Sequence, residues 1–287
     1  VPIQFTRPRI IKPQKGWILK NIRIRRRFFE GNHGEACPSR RFVHSQTMNF
    51  KPIVAALSLI GSIAAAAQAP DAKTILEGAR MSATLTKLDE GLSGNLRRGS
   101  QKTPVTLFLK GQDIQFQFSE NKGPWQVFHM RIGDATFNLF EMVDGKTRAF
   151  AAAKLVTPIA GTDLTYEDLA MRFFYWPNPK LEGEEDVGGQ PCYKIRIDKP
   201  RSAPGRYEVV YVWVHRKFGA FMKIRGHDKN GGLVKEFQVE DVMQIAKDTW
   251  TLRKMQVATH DPATGRRISI TDVTFDSPKK AGPRGLR

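Results

Sequence analysis

The sequence predicts a mainly β protein, a curved antiparallel sheet of about 11–12 strands, with one helix ahead of it and a helical segment over its middle. Three observations support this. Downstream of residue 92, apolar residues recur at every second position in short runs bounded by Gly, Asn or Asp. These runs follow one another too closely to leave room for crossover helices, so neighbours are antiparallel. Several of them are apolar on both faces, so both faces must be covered.

In chain order, residues 1–47 come first. They carry eleven Lys and Arg against Glu30 and Glu35, net +9 of the formal +18. The run Ile22-Arg23-Ile24-Arg25-Arg26-Arg27 has the chemistry of a nucleic-acid arm. It stands ahead of a complete secretory leader, however, and reads more economically as a disordered upstream extension translated from a mis-assigned start. That leader is residues 48–67: Met48, a single Lys51, the apolar run from Ile53 through Ile63, then small residues with A-x-A cleavage choices. The apolar run is too short to span a bilayer permanently as a helix. A cut after Ala67 starts the mature chain at Gln68. From there 34 basic residues face 26 acidic ones, and four of the basic ones sit in a flexible tail at 278–287. The body's charge is ordinary and predicts no nucleic-acid partner. With Cys37 in the extension, Cys192 alone remains; it has no internal partner and reads as a small buried hydrophobe. Residues 68–277 fit one domain whose core needs no staples.

Residues 71–85 have helical spacing (Ile75, Leu76, Ala79, Met81, Ala83), with Asp71 placed as cap. Strands are predicted at 93–98, 104–110, 113–119, 125–132, 136–143 and 147–151, joined by turns rich in residues that accept positive φ. Alternation breaks at 162–176. There Asp163 or Thr165 caps a helix, Glu167 and Asp168 sit in its first turn where the macrodipole favours anions, and Leu169, Phe173 and Phe174 share a face. Asp168 and Arg172, four apart, are expected to pair on its surface. Pro177 and Pro179 stop it. The acidic stretch Glu182, Glu184, Glu185 and Asp186 reads as a solvated, Gly-bounded loop. A second strand series follows at 192–197, 207–215, 220–226, 233–239, 249–258 and 267–275. Residues 228–232 form a hairpin turn rather than a calcium loop, because Val239 stands at the twelfth position and no helices flank them.

The faces differ between strands. On 113–119, Ile114, Phe116 and Phe118 oppose Gln115 and Gln117, whereas on 207–215 Tyr207, Val209, Tyr211 and Trp213 oppose Val210, Val212 and Val214. Phe137 and Leu139 likewise oppose Phe140 and Met142. Either a strongly curved sheet keeps a ligand cavity beneath its helices, or both faces are simply packed by helix and loops. Catalytic patterns are missing: His129, His215, His227 and His260 are scattered without partners at metal-ligand spacing, and no nucleophile elbow or phosphate loop is present. No enzyme, metal or cofactor is expected.

The segment Asp163-Leu164-Thr165-Tyr166-Glu167-Asp168-Leu169, followed by Arg172 and set between two strand series, resembles the outer-membrane lipoprotein-sorting proteins of the LolA-like family, in the branch with a D-x-[ST]-Y-E-D-L segment. Gly189-Gln190-Pro191-Cys192-Tyr193, the Val212-Trp213-Val214 strand, the stretch 228–235 and the closing Val273-Thr274-Phe275 are similar too, so the resemblance spans about 74–275. It implies an incomplete β-barrel with a mid-chain helical lid that carries lipoprotein acyl chains, or another lipid, through the periplasm towards the outer membrane. The chain would act as a monomer, with inner- and outer-membrane sorting components as partners. The alternative on the same fold is a non-catalytic envelope scaffold or protein-interaction module. Candidate cavity wall residues are Phe108, Phe116, Phe118, Phe137, Phe140, Tyr211, Trp213 and Phe237, under a lid face of Leu169, Phe173 and Phe174. The lid-closing arginine of the family has no assured match, Arg97 and Arg98 being the nearest. A movable lid suits a carrier that must both hold and release its cargo.

Overall fold

The computed structural model describes residues 70–277 except 85–87, 121–122, 134–136, 144 and 247–248. The expected extension 1–47, signal peptide 48–67 and tail 278–287 lie outside the described residues.

Helix α1 is Ala72–Thr84. Asp71 caps it as predicted: Oδ1 accepts from the backbone N–H of Lys73 and Thr74, and Oδ2 from the Thr74 hydroxyl at 2.6 Å. Its stripe of Ala72, Ile75, Leu76 and Ala79, spaced for one helical face, is buried.

Thirteen antiparallel strands form one curved, unclosed sheet. The first six are β1 (Leu88–Arg98), β2 (Gln101–Lys110), β3 (Asp113–Ser119), β4 (Trp125–Ile132), β5 (Phe137–Val143) and β6 (Lys146–Ala149). The other seven are β7 (Lys180–Val187), β8 (Gln190–Asp198), β9 (Val209–His215), β10 (Phe221–His227), β11 (Leu233–Ala246), β12 (Thr249–His260) and β13 (Arg267–Phe275). In space the order is β6-β5-β4-β3-β2-β1-β13-β12-β11-β10-β9-β8-β7. Two meanders therefore meet at the centre, where β1 pairs with β13 through Gly94↔Phe275 and Leu96↔Val273. The chain crosses from one edge to the other once, over residues 150–179. That crossover and α1, which rests on β7 and β9, cover one face of the sheet, hereafter the inner face.

Three expectations are corrected. The acidic stretch is not a loop but edge strand β7. There Glu185 accepts from Lys194 Nζ at 2.6 Å and from Trp213 Nε1 at 2.8 Å, and Glu184 from Arg216 at 2.7 Å. Its charges hid the alternation, and charge on an exposed edge discourages pairing with other chains. The single helix expected at 165–176 is two pieces, α2 (Tyr166–Ala170) and a 3-10 turn Arg172–Tyr175, separated by Met171 in the left-handed region. Tyr207 also stands outside β9 and turns inward. It fits only because Gly226 on β10 has no side chain, since a Cβ there would lie 2.5 Å from the Tyr207 ring.

Candidate functional site

The D-x-T-Y-E-D-L segment is bolted to the inner face by a buried polar network. Thr165 and Asp168 form a reciprocal capping box, with Thr165 N–H donating to Asp168 Oδ2 at 2.8 Å and Asp168 N–H to Thr165 Oγ1 at 3.3 Å. Asp168 has no exposed surface. Its Oδ1 accepts from the Tyr207 hydroxyl, and Lys235 Nζ on β11 lies 3.9 Å from its Oδ2. Burial pushes the Asp168 carboxyl up and the Lys235 amine down, while their mutual attraction opposes both shifts.

Lys235 also donates to the Asp163 carbonyl and, at 2.9 Å, to Thr259 Oγ1. The Asp163 carboxylate accepts from Thr259 at 2.6 Å, Thr271 at 2.8 Å and Ser269, with Arg98 Nε of β1 at 3.5 Å. Burial alone would raise its pKa, but these hydroxyls and the Arg98 charge outweigh it and hold the carboxyl below the usual range. Arg98 further donates to the Gly161 carbonyl at 2.8 Å, and Gln101 to that of Ala160 at 2.7 Å. Of the two arginines considered, Arg98 is thus the one that grips the crossover, while Arg97 pairs with Asp272 at 3.4 Å.

Glu167 faces the loop after β8. It accepts from Arg206 N–H at 2.9 Å, and burial pushes its carboxyl up to about 7. The expected Asp168–Arg172 surface pair does not form. Asp168 points into the core, and the left-handed Met171 swings Arg172 away to lie 5.5 Å over the Phe137 ring.

The candidate wall residues divide between two faces. Phe118 and Phe237 are fully buried on the inner face, together with lid residues Phe173 and Phe174, while Leu169 packs half-buried against them. Phe116 and Phe137 are half-buried on the same face, Phe137 stacking on Tyr175 at 5.3 Å. Phe108 and Phe140 lie on the outer face, where the register aligns Phe108 with Gln115, Gln115 with His129 and His129 with Phe140. Tyr211 and Trp213 are also on the outer face, in a small cluster with Val187, Cys192 and Met222. These four cannot line a space beneath the crossover, because alternate residues of a strand point to opposite sides. Burial pushes the Cys192 thiol up to about 11, the behaviour of an inert core cysteine.

Under the crossover the two halves of the sheet differ. The β8–β12 half is filled by Ile195, Ile197, Val210, Ile224, Phe237 and Val257, each without exposed surface. In the β2–β5 half, Leu107, Ile114, Phe116, Phe137 and Leu139 remain only half-buried. Tyr166 packs beside these residues, 5.1 Å from Phe128 and 4.8 Å from Phe150. Leu107, Phe128 and Phe150 were not singled out from sequence; Ile114 and Leu139 were placed on the faces of Phe116 and Phe137 without being named as wall residues, and Tyr166 entered as a motif residue alone.

Three histidines serve turns or neighbouring strands: His215 meets Gln190 at 3.1 Å, and His227 and His260 meet the carbonyls of Gly231 and Gly265. His129 is not isolated as expected, since its Nε2 lies 2.7 Å from Asp113 Oδ1 across strands. Among the described residues no cluster of His, Cys, Asp and Glu is arranged to hold a metal, and no helix is long and apolar enough to cross a membrane.

An open antiparallel sheet whose inner face is capped by short helical pieces defines a class, the LolA-like incomplete barrel. A family model described as an uncharacterized protein matches residues 130–281, more than half of the chain; the chain belongs to this family, which is LolA-like. Three solved structures share the fold. A DUF1329 family protein from Desulfovibrio piger is 20% identical, covers 75% of this chain and 94% of its own, and superposes with a TM-score of 0.53. A domain from Vibrio parahaemolyticus described as an outer membrane lipoprotein-sorting protein is 15% identical, with 74% and 93% covered and a TM-score of 0.52. A LolA superfamily protein from Nitrosomonas europaea gives 15%, 73% and 93%, and 0.52. No curated protein matches the sequence.

Proposed function

We propose that this protein is a non-catalytic carrier that binds lipoprotein acyl chains, or another lipid, in the recess between the crossover and strands β2–β5, and moves them through the periplasm towards the outer membrane. The observation that carries the reading is the row of half-buried apolar residues, Leu107, Ile114, Phe116, Phe137 and Leu139, beside an otherwise filled inner face. Apolar groups left short of burial inside a concave, helix-covered space are what a chain of methylenes would complete. Fifteen methylenes at about 0.8 kcal/mol each amount to about 12 kcal/mol gross. An association cost of about 4 kcal/mol leaves about 8, a micromolar affinity suited to release. The family and the shared fold support the cargo class.

The polar network assigns different parts to the crossover. Residues 160–170, held by Arg98, Gln101, Lys235, Thr259, Ser269 and Thr271, act as a fixed strut, so entry lies on the β2–β5 side. The test is to purify the protein from cells, extract it with organic solvent for mass spectrometry, and titrate it with a fluorescent fatty acid. Co-purified lipid and saturable uptake, both lost in Phe116→Asp, are expected. An empty protein that takes up no fatty acid refutes the reading and leaves the scaffold alternative standing.

A further inference from the structure

The outer face of β2–β5 carries a second feature, unrelated to the inner recess. A cavity of about 340 Å³, open to solvent on one side, is lined by Phe108, Lys110, Asp113, Gln115, Gln117 and His129 together with Leu88. Strand register arranges its surroundings as a grid. The middle row runs Phe108, Gln115, His129, Phe140; the rows on either side are Thr106, Gln117, Val127, Met142 and Lys110, Asp113, Arg131, Asn138. Three inter-strand spacings separate the two phenylalanines, about 14 Å. Phe140 stacks on the His129 ring, with centroids 5.6 Å apart, so the middle row is a polar bed with aromatic rings at both ends.

Part of this bed is uncommitted. Among the described residues neither the Gln115 nor the Gln117 amide has a hydrogen-bond partner, and Lys110 has no ion pair. Asp113 uses one oxygen, Oδ1, for both His129 Nε2 at 2.7 Å and Arg131 Nε at 2.8 Å, and among the described residues Oδ2 has no hydrogen-bond partner. Burial opposes ionisation of Asp113, but the Arg131 and His129 bonds outweigh it and keep the carboxyl ionised as an acceptor. Amides without protein partners and open to solvent can exchange water for the polar groups of a bound molecule.

The balance of these groups selects the ligand. Phosphate-rich molecules and nucleic acids call for clustered cations, yet here Arg131 is spent on Asp113 and only Lys110 is left at the rim. An acyl chain calls for a lining free of polar groups, whereas here the apolar surface of Phe108 and Leu88 is interleaved with two amides, an imidazole and a carboxylate. Sugars match on both counts: their vicinal hydroxyls donate to a carboxylate and accept from and donate to side-chain amides, while the C–H face of the ring packs on an aromatic.

We propose that the outer face of β2–β5 is a carbohydrate-binding site that takes a short neutral or N-acetylated oligosaccharide along the Phe108–Gln115–His129–Phe140 row. Phe108 and Phe140 are the stacking platforms, Gln115 and Gln117 read the hydroxyl or acetamido groups, and Asp113, held by Arg131, accepts from a hydroxyl. No reaction is assigned: Asp113 is the one carboxylate among the lining residues described, and glycoside hydrolysis calls on a pair.

The test is calorimetry and NMR on the full chain with chitotriose, cellotriose and, as an acyl control, dodecanoate. One of the saccharides is expected to bind with a dissociation constant below 1 mM, at which about 4 kcal/mol of binding free energy is gained, and to shift the His129 ring resonances. Binding should fall at least tenfold in Phe108→Ala and in the Gln115→Ala/Gln117→Ala pair, and should be unchanged in Phe116→Ser on the inner face. Gln117→Arg, which fills the bed from the solvent side without touching the core, should abolish it while leaving the far-ultraviolet spectrum and melting temperature intact. Absence of saccharide binding at millimolar concentration overturns the proposal. So does binding indifferent to these four outer-face substitutions, or displacement of the saccharide by dodecanoate. The fatty-acid assay of the inner recess is independent of every one of these outcomes.

Discussion

Replacing Lys235 with methionine removes, among the described residues, the only cation within ion-pair distance of the fully buried Asp168 carboxylate. Asp168 then keeps Tyr207 O–H and Thr165 N–H as donors but has no opposite charge, and it escapes by taking up a proton. Its unfolded-state value is near 3.8. At about 1.4 kcal/mol per pH unit above that value, holding the proton costs the folded state about 4 kcal/mol at pH 7 and about 2 kcal/mol at pH 5. The sign follows from a folded pKa above the unfolded one, whose stabilisation is present at low pH and is lost as pH rises. Loss of the Lys235 bonds to the Asp163 carbonyl and Thr259 adds a pH-independent cost of about 1–3 kcal/mol. Urea unfolding at both pH values, each variant compared with the wild type at the same pH, should therefore show a loss larger at pH 7 than at pH 5, by at most about 3 kcal/mol because the wild-type Asp168 carboxyl is itself raised. The double variant Asp168→Asn/Lys235→Met has no charge left to bury and should lose equally at both. An equal loss in the single variant at the two pH values, or a double variant no more stable than the single at pH 7, would refute the assignment of a buried ion pair as the bolt of the crossover.

Glu167 titrates near 7 when folded against 4.5 unfolded, so its contribution is fully present below pH 4.5 and fades by about 3 kcal/mol as pH rises through 7; Glu167→Gln should abolish that slope in urea midpoints measured from pH 4.5 to 8. Gly226→Ala drives a methyl into the Tyr207 ring and should cost about 1–3 kcal/mol, read as a lowered melting temperature. Phe116→Asp should weaken fatty-acid binding at least tenfold, whereas Tyr211→Ala, on the opposite face, should leave the fluorescence titration unchanged.

Much of the fold was legible because alternation and turn residues are local. Twelve of the thirteen strands lie where period-two runs placed them, and the Asp71 cap and the break at Pro177 follow from adjacent residues. The missed strand, β7, shows the limit of pattern reading. Half of its residues are acidic, and its strand character rests on pairing with β8 and on salt bridges to Lys194 and Arg216, partners with no signal in the acidic stretch itself. The D-x-T-Y-E-D-L segment was recognisable, but its meaning was not. Carboxylates in a helix's first turn look like solvated caps until Lys235, Ser269 and Thr271, from strands far along the chain, close over them.

The amino-acid order by itself determined that this chain would be an antiparallel meander broken once by a helical segment, since periodicity, caps and breakers act over a few residues. Only the tertiary structure decided which side of each doubly apolar strand faces the crossover. Phe108, Phe140, Tyr211 and Trp213 were thereby separated from Phe116, Phe118, Phe137 and Phe237, and one half of the inner face was filled while the other was left short of burial. The physical reason is that facing depends on the direction of sheet curvature and on pairings such as β1 with β13, made between residues more than a hundred positions apart, for which no local pattern is a record.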